Sequence, residues 1–249
     1  MRIGVYTPHM LRAIFFWAAF AAAGAGLMAD QAPLPIQQMK GTLLYRMTLM
    51  RATPGRQQEL VTQLKARAAA ARSSNRPPLT LRHSQGDQWD FMILTPIGSF
   101  GDYFAGSGAA TALAPAPLIA WQEDEFVRGP DMSTLLGFMT ANLYHVEMFV
   151  ALADKRADLI KEREMENTYL RALGRPVNAI FTRELGAAWD VFTVGAYRNW
   201  KHYAERDDTT PEKSAAAARA AGFDSDELIG PFLRGLINTH HDTLATPLR

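Results

Sequence analysis

The stretch Gly86-Asp87-Gln88-Trp89-Asp90-Phe91-Met92-Ile93-Leu94 has a counterpart 100 residues later, Gly186-Ala187-Ala188-Trp189-Asp190-Val191-Phe192-Thr193-Val194. Each copy places a glycine before a tryptophan–aspartate pair and follows the pair with an apolar, strand-like run. Upstream positions correspond at an offset of 99, so that Tyr45 matches Tyr144, and Tyr103 matches Tyr203 at an offset of 100. A repeat of this length indicates a duplicated domain rather than a solenoid, whose periods are about 20–50 residues.

Each half is predicted to run strand, helix, strand, strand, helix. The strands of the first half are expected over 43–50, 79–84 and 89–95, with a helix over 56–72 and a short one from 99. The second half repeats this order, with strands over 143–150, 177–183 and from 189, and helices over 155–173 and 200–204. Each half is predicted to end in a further helix, at 118–127 and at 226–245. The order is typical of an α+β fold built from ferredoxin-like units, with helices on one face of an antiparallel sheet.

The repeated unit, with an aromatic–acidic pair opening its third strand and a short aromatic helix after it, resembles the dimeric α/β-barrel superfamily. The nearest members are NIPSNAP-like and EthD/antibiotic-monooxygenase-like domains. The resemblance covers roughly residues 42–249 and rests on pattern and repeat. It implies that two tandem ferredoxin-like units, at 42–130 and 131–249, pack their antiparallel sheets into an α/β barrel within one chain. The superfamily includes cofactor-independent monooxygenases, haem-handling enzymes and proteins without known activity, so it implies no single function. Because members of the superfamily form dimers, the resemblance also allows a homodimer of the fused chain.

The N-terminus has the features of an export signal. Arg2 and Arg12 provide positive charge, the run at 13–23 is apolar, and Ala23-Gly24-Ala25 fits a cleavage site, with cleavage after Ala29 as the alternative. An uncleaved anchor helix is the other interpretation, but the run is shorter than the ~20 residues of a membrane span. We therefore predict a signal peptide over 1–29, an exposed leader over 30–41, and a periplasmic or secreted protein without stable membrane insertion after cleavage.

The composition excludes several classes of function. The chain has 249 residues, a formal net charge of +1 and no cysteine. It has no basic block of the kind that binds a phosphate backbone, so we expect no nucleic-acid partner. Without cysteine there can be no thiolate nucleophile, cysteine-ligated zinc or iron–sulfur cluster. Phosphate-loop, dinucleotide and His-Glu-x-x-His motifs are also missing, and we predict neither a cofactor nor a metal ion.

Strand alternation locates a candidate binding surface. In the first strand of each half, one face is apolar, and we place it under the helices: Tyr45, Met47, Leu49, Tyr144, Val146 and Met148. The opposite face is mixed, and we place it inside the barrel where the halves meet. These predicted cavity-lining residues are Arg46, Thr48, Met50, His145, Glu147 and Phe149. A cavity with apolar walls and a few polar groups is the usual site for a small ligand.

Two interpretations of this polar set remain open. His145 and Glu147 share a strand face, a spacing that suits a proton-transfer pair or two metal ligands. Alternatively, Arg46 and Glu147 pair with each other in a filled interface, because buried charges require partners. The sequence does not decide between these two interpretations, and it identifies no catalytic residue.

Two further motifs are interpreted as structural. His240, His241 and Asp242 lie in the predicted last helix, where adjacent residues point about 100° apart, so the two histidines would not share a face. Because the Trp-Asp pair occurs once per half, we expect Trp89 and Trp189 to pack against helices. Each aspartate is expected to accept backbone hydrogen bonds near its turn.

The sequence thus favours an exported protein of uncharacterised activity that binds a small, largely apolar ligand between the two repeats. The first alternative is a cofactor-independent monooxygenase-like or haem-handling enzyme with its site in the barrel. The second is a structural or partner-binding protein with a filled interface.

Overall fold

The computed structural model describes residues 39–106, 112–205 and 209–249. The predicted signal peptide and most of the predicted leader lie outside these residues. Near the end of the predicted exposed leader, Met39 is fully buried, whereas Lys40 is exposed and forms a β-bridge with Ile180. None of the helices in the described ranges combines the length and the apolar character needed to cross a membrane.

Eight β-strands and seven α-helices are found in the described ranges. The strands are β1 Leu43–Ala52, β2 Leu79–Gln85, β3 Phe91–Gly98, β4 Ile119–Gly129, β5 Leu143–Ala151, β6 Ala179–Leu185, β7 Val191–Tyr197 and β8 Ile237–Pro247. The α-helices are α1 Gln57–Ala71, α2 Phe100–Ala105, α3 Met132–Phe138, α4 Arg156–Ala172, α5 Trp200–Ala204, α6 Pro211–Ala221 and α7 Ile229–Arg234. The predicted α+β class is confirmed.

The strands form one antiparallel sheet that closes on itself. Their order is β1-β3-β2-β8-β5-β7-β6-β4, and β4 pairs back onto β1. The order β4-β1-β3-β2 within the first half corresponds to β8-β5-β7-β6 within the second. The halves meet at two seams, β2 with β8 and β4 with β6. Each of the eight described strands therefore has a neighbour on both sides, although the seams are short: β4 pairs with β6 at three positions only.

The barrel interior is filled by apolar side chains from all eight strands. Tyr45 and Met47 of β1, Tyr144 and Val146 of β5, and Phe181 of β6 belong to this one cluster. Outside the barrel, α1 packs Leu60 and Leu64 against Met50, Phe91 and Ile93. On the other side, α4 packs Leu159 against Phe149, Ile180 and Val191.

The predicted assignment of the strand faces is therefore wrong. The apolar faces of β1 and β5 point into the barrel, and the mixed faces point outward toward the helices. The physical reason is that a closed barrel removes its interior completely from water, whereas the helices cover only part of the outer surface. Polar groups such as His145 and Glu147 can reach a solvent-connected space only on the outside.

The last element of each half was also predicted wrongly. Residues 118–127 and 226–245 were expected to be helical, but they form most of β4 and β8, with the short α7 before β8. Their pairing with β1 and β5 supplies long-range backbone hydrogen bonds that local sequence does not reveal. The β-branched residues Thr239, Thr243 and Thr246 in β8 agree with the strand.

The Trp-Asp pair acts structurally in both halves. A carboxylate oxygen of Asp90 accepts the amide of Ala52 at 2.8 Å, and that of Asp190 accepts the amide of Ala151 at 2.9 Å. Each aspartate therefore ties the start of the third strand to the end of the first. Trp89 was expected to pack against a helix. It packs in the barrel interior instead.

Candidate functional site

The candidate site is a cavity of about 480 Å³ on the outer face of the second half. Its floor is formed by β5 and β7, one wall by α4 and the loop after it, and the other by α5 and the start of α6. The cavity is lined by His145, Glu147, Glu166, Tyr169, Leu170, Leu173, Gly174, Arg175, Pro176, Asn178, Tyr197, Arg198, His202, Tyr203, Glu205, Thr209 and Lys213. A space of this size, open to solvent and lined by convergent polar groups, suits a small organic molecule.

An imidazole and two carboxylates lie close together at the edge of the floor: His145 and Glu147 line the cavity, and Asp242 lies beside them on the neighbouring strand β8. His145 and Glu147 are two residues apart on β5 and point to the same side, and Asp242 of β8 lies opposite Glu147 in the strand register. Nε2 of His145 is 3.2 Å from Oδ1 of Asp242, and Nε2 of His240 is 3.2 Å from the other oxygen, Oδ2. The hydrogen bond from His145 lowers the pKa of Asp242, although partial burial opposes that shift. Asp242 is therefore held as a carboxylate between two histidines.

A buried arginine organises the carboxylates beside the floor. Arg163 of α4 has a side chain that is 1% exposed, and its guanidinium lies over the ring of Phe149 at 4.9 Å. It bonds both oxygens of Glu162, at 2.5 and 2.7 Å, and one oxygen of Glu166 at 2.6 Å. It also lies 3.8 Å from Glu147, which accepts a hydrogen bond from the hydroxyl of Thr193 at 3.1 Å.

Arg163 thus faces the carboxylates of Glu162, Glu166 and Glu147, and burial of this group shifts the pKa values of its members. Burial raises the pKa of Glu166 to about 7, and Arg163 only partly offsets that effect. Burial also raises the pKa of Glu162. For Arg163, burial opposes the charged form, but the surrounding glutamates outweigh it and raise its pKa. Glu166 faces the cavity and exchanges a proton near neutral pH, so it can donate or accept one there.

Aromatic and cationic side chains form the upper walls. Tyr203 of α5 contacts His145 edge-on with ring centroids 5.6 Å apart, and Tyr197 contacts Tyr203 at 5.0 Å. The side chain of Asn199 accepts the amide of His202 and begins α5, which fixes Tyr203 above the floor. Gly174 ends α4 with a φ of +71°, a conformation that favours glycine, and the next residue, Arg175, borders the cavity.

Of the six predicted cavity-lining residues, His145 and Glu147 line this cavity, although it lies outside the barrel. Met50 and Phe149 are fully buried under α1 and α4. Arg46 and Thr48 lie on the outer face of the other half. The predicted pair of Arg46 with Glu147 is wrong, because the two side chains lie on opposite halves and each has other partners.

Arg46 and Thr48 belong to a second polar cluster that corresponds to the floor of the cavity. Arg46 donates to the hydroxyl of Tyr103 at 3.1 Å and lies 3.9 Å from Asp124, to which Thr48 donates at 2.5 Å. These four residues occupy the positions of His145, Glu147, Tyr203 and Asp242 in the second half. The repeat therefore places the same framework twice, with an imidazole and a carboxylate in one half and a guanidinium and a hydroxyl in the other.

Sequence reasoning missed Asp242, Arg163 and Glu166. Asp242 was placed on a helix and assigned no partner, whereas its strand puts it beside His145. Arg163 and Glu166 lie in the run 161–166, in which every residue except Met165 is charged, a composition typical of a solvated helix face. No local signal shows that this part of α4 faces the sheet.

Comparison with known proteins shows the fold alone. No protein-family model and no curated protein matches the sequence. The crystal structure of an anthrone oxidase-like protein superposes with a TM-score of 0.56 at 10% identity, covering 85% of this chain and 93% of that one. A candidate monooxygenase from Lactobacillus acidophilus gives 0.51 at 10% identity, covering 84% and 95%. A haem-binding protein from Thermus thermophilus gives only 0.43 at 10% identity, covering 84% and 91%. Together with the closed sheet, the first two likenesses show that this chain has the fold of the dimeric α/β-barrel proteins.

Proposed function

We propose that the protein is a monooxygenase-like enzyme that acts on a small organic molecule in the cavity of the second half. The observation that carries the proposal is the convergence of His145, Glu147 and Glu166 on one solvent-connected cavity with aromatic walls. The names of the two structures that superpose with TM-scores of 0.56 and 0.51, an anthrone oxidase-like protein and a candidate monooxygenase, agree with this class of reaction.

The chemistry begins with removal of a proton from the substrate. An activated C–H or a phenolic O–H above the floor would meet bases at His145 and Glu147, and Asp242 would stabilise the imidazolium that forms. The anion left behind is electron-rich and itself supplies the electrons for reaction with molecular oxygen. One oxygen atom bonds to the deprotonated carbon and the other leaves as water, so that a CH2 group becomes C=O (R2CH2 + O2 → R2C=O + H2O). Glu166 would exchange a proton with solvent during the cycle, and Tyr203 would hold the ring of the substrate.

Oxygen uptake with a panel of anthrones and phenols tests the proposal. A positioned base contributes about 10²–10⁴-fold to such a step, so His145→Gln should lower the rate of uptake by at least about 100-fold. Arg46→Gln, at the corresponding position of the first half, should leave the rate unchanged. Equal rates for wild type and His145→Gln, or no uptake with any compound, would count against the proposal.

Two other functions have less support. Non-catalytic binding of an apolar ligand between the repeats does not fit, because side chains from all eight strands fill that space. Haem handling fits poorly as well, since the carboxylates of Glu147 and Glu166 would place negative charge against an apolar ring, and desolvated charges are costly without a partner.

The wider context of the enzyme is also a proposal. We infer that the chain arose as a fusion of two ferredoxin-like units, related to NIPSNAP-like and EthD-like domains, and that it can dimerise further. We also propose that it is exported and works in the periplasm or outside the cell. The N-terminal sequence of protein recovered from the producing cells tests export, which predicts a start near residue 26 or 30.

A further inference from the structure

We propose that His145, Glu147 and Asp242 form a binding site for one divalent transition-metal ion at the floor of the cavity. The inference deepens the proposed function, since it places an ion in the same cavity. Binding of the ion can nevertheless be measured without any substrate.

The geometry of the three side chains supports such a site. One ligand atom from each residue can be chosen so that all of them lie within 4.8 Å of one another. Bonds of about 2.0–2.2 Å from a central ion to nitrogen and oxygen allow ligand atoms to be up to roughly 4.4 Å apart. Small side-chain rotations would therefore close the three groups around an ion. All three side chains stand on neighbouring positions of paired strands, which is a rigid base for coordination.

The charges of the site also favour a cation. Glu147 and Asp242 supply two carboxylates, while Glu162 and Glu166 lie close by and share the single Arg163. That arginine is 3.8 Å from Glu147 and bonds the other two glutamates more closely, so Glu147 is not held in a close ion pair with it. An imidazole with two carboxylates suits Mn²⁺, Fe²⁺ or Zn²⁺ better than Mg²⁺ or Ca²⁺, which prefer oxygen ligands throughout.

The surrounding groups hold the ligands in place. His240 contacts Oδ2 of Asp242 and stacks on Phe149, while the hydroxyl of Thr193 donates to Glu147. Such outer contacts orient the first ligands, and their loss costs about 10–100-fold in metal affinity in known sites. The cavity above the floor leaves room for water or substrate at the remaining coordination positions.

The first half offers a built-in comparison. There the corresponding residues are Arg46, Thr48 and Asp124, and a guanidinium has no lone pair with which to bind a metal. The inference therefore assigns the ion to the second half alone. An ion at that place would lower the pKa of a bound water or phenol. With the ion bound, His145, Glu147 and Asp242 are its ligands, so the substrate's proton would pass to Glu166, which lines the same cavity, and the assignment of His145 and Glu147 as bases applies to the metal-free protein.

Calorimetric titration of the full chain, stripped of metal with a chelator, tests the site. With Mn²⁺ and Zn²⁺ we expect one ion per chain, and an affinity at least about 10-fold weaker in Glu147→Gln and in Asp242→Asn. Asp124→Asn is the matched control and should bind as the wild type does. No binding of either ion below about 1 mM, or equal weakening by Asp124→Asn and Asp242→Asn, would overturn the proposal.

A second measurement on the wild type avoids variants that fail to fold. Paramagnetic Mn²⁺ should broaden the imidazole resonances of His145 first and His240 next, before those of His83. Uniform broadening of these histidines would contradict the site.

The two proposals fail separately. If metal binds as expected but no oxygen uptake occurs, the proposed reaction is wrong and the site stands. If uptake depends on His145 in chelator-treated protein and no ion binds, the metal site is wrong and the reaction stands.

Discussion

Glu125 of β4 is a carboxyl group enclosed within the protein. Its side chain is completely buried, and neither carboxylate oxygen has a hydrogen-bond partner among the described residues. Burial, reinforced by Glu123 and only partly opposed by Arg183, raises its pKa from 4.5 to about 7. The folded protein therefore holds this proton more tightly than the unfolded chain does.

This proton makes the stability of the protein depend on pH. The contribution of Glu125 is fully present below pH 4.5 and is lost as the pH rises toward 7, at up to about 1.4 kcal/mol per pH unit. Denaturant unfolding at a series of pH values should show stability falling in this window, and Glu125→Gln should flatten the fall. Glu162 and Glu166 shift in the same direction, so some slope should remain. An unchanged slope in Glu125→Gln would contradict this assignment.

The guanidinium of Arg163 holds Glu162 and Glu166 beside the cavity. Replacing it with methionine would leave Glu162 and Glu166 buried without their cation, which typically costs roughly 3–5 kcal/mol. We expect Arg163→Met to lower the free energy of unfolding by about that amount, measured by denaturant titration. Adding Glu162→Gln should restore part of the loss, because it removes one of the unpaired charges. If the double variant were less stable than the single one, the charges would not be the cause.

At the scale of elements, β7 makes room for the cavity through a glycine. Gly195 lies opposite His145 in the strand register, and a Cβ added there would come within 2.6 Å of the side-chain oxygen of Asn178 and 3.1 Å of the ring of Tyr197. A larger residue at this position would therefore push both neighbours into the cavity.

We expect Gly195→Ala to lower stability by about 1–3 kcal/mol, since crowding a packed site costs that much. Gly230→Ala is the control: a Cβ there meets nothing within 4 Å, and alanine favours its helix, so stability should stay the same or rise by up to about 1 kcal/mol. Thermal unfolding of the two variants makes the comparison. Similar changes in stability for the two variants would show that crowding of Asn178 and Tyr197 is not what destabilises Gly195→Ala.

The elements differed in how well local sequence predicted them. The strands and long helices around Tyr45, Tyr144 and the two Trp-Asp pairs follow their patterns, because apolar periodicity and turn glycines act locally. β4 and β8 do not follow their local patterns. The charged residues Glu123, Asp124 and Glu125 in β4, and the segment from His240 to Asp242 in β8, are typical of a polar helix. Their conformation comes from pairing with strands that are distant in sequence.

At the scale of the whole molecule, the two halves share one interior. Side chains from both halves form a single apolar cluster, and the seams β2–β8 and β4–β6 join the halves by backbone pairing. Neither half could be exposed to water without opening this core, so the structure should unfold as one cooperative unit.

Two single-tryptophan variants can test this cooperativity. One would keep Trp89 of the first half as its only tryptophan, and the other would keep Trp189 of the second. The fluorescence midpoints of both in denaturant should coincide with the loss of secondary structure measured by circular dichroism. Separate midpoints for the two reporters would show that the halves fold independently.

Local patterns in the sequence are sufficient for the repeat, the α+β class, the order of most elements and the placement of His145 and Glu147 on one strand face. These features depend on local periodicity and on the 99- and 100-residue offsets, which are visible in one dimension. The direction in which each strand face points emerges only in the folded chain. Both faces carry buried apolar residues, and the sequence pattern alone does not distinguish the barrel interior from the parts of the outer surface that helices cover. Pairing of β5 with β8 places Asp242 beside His145. Packing of α4 against the sheet places Arg163 and Glu166 on the side that faces them. The candidate site therefore depends on contacts between residues up to 97 positions apart, which no local pattern contains.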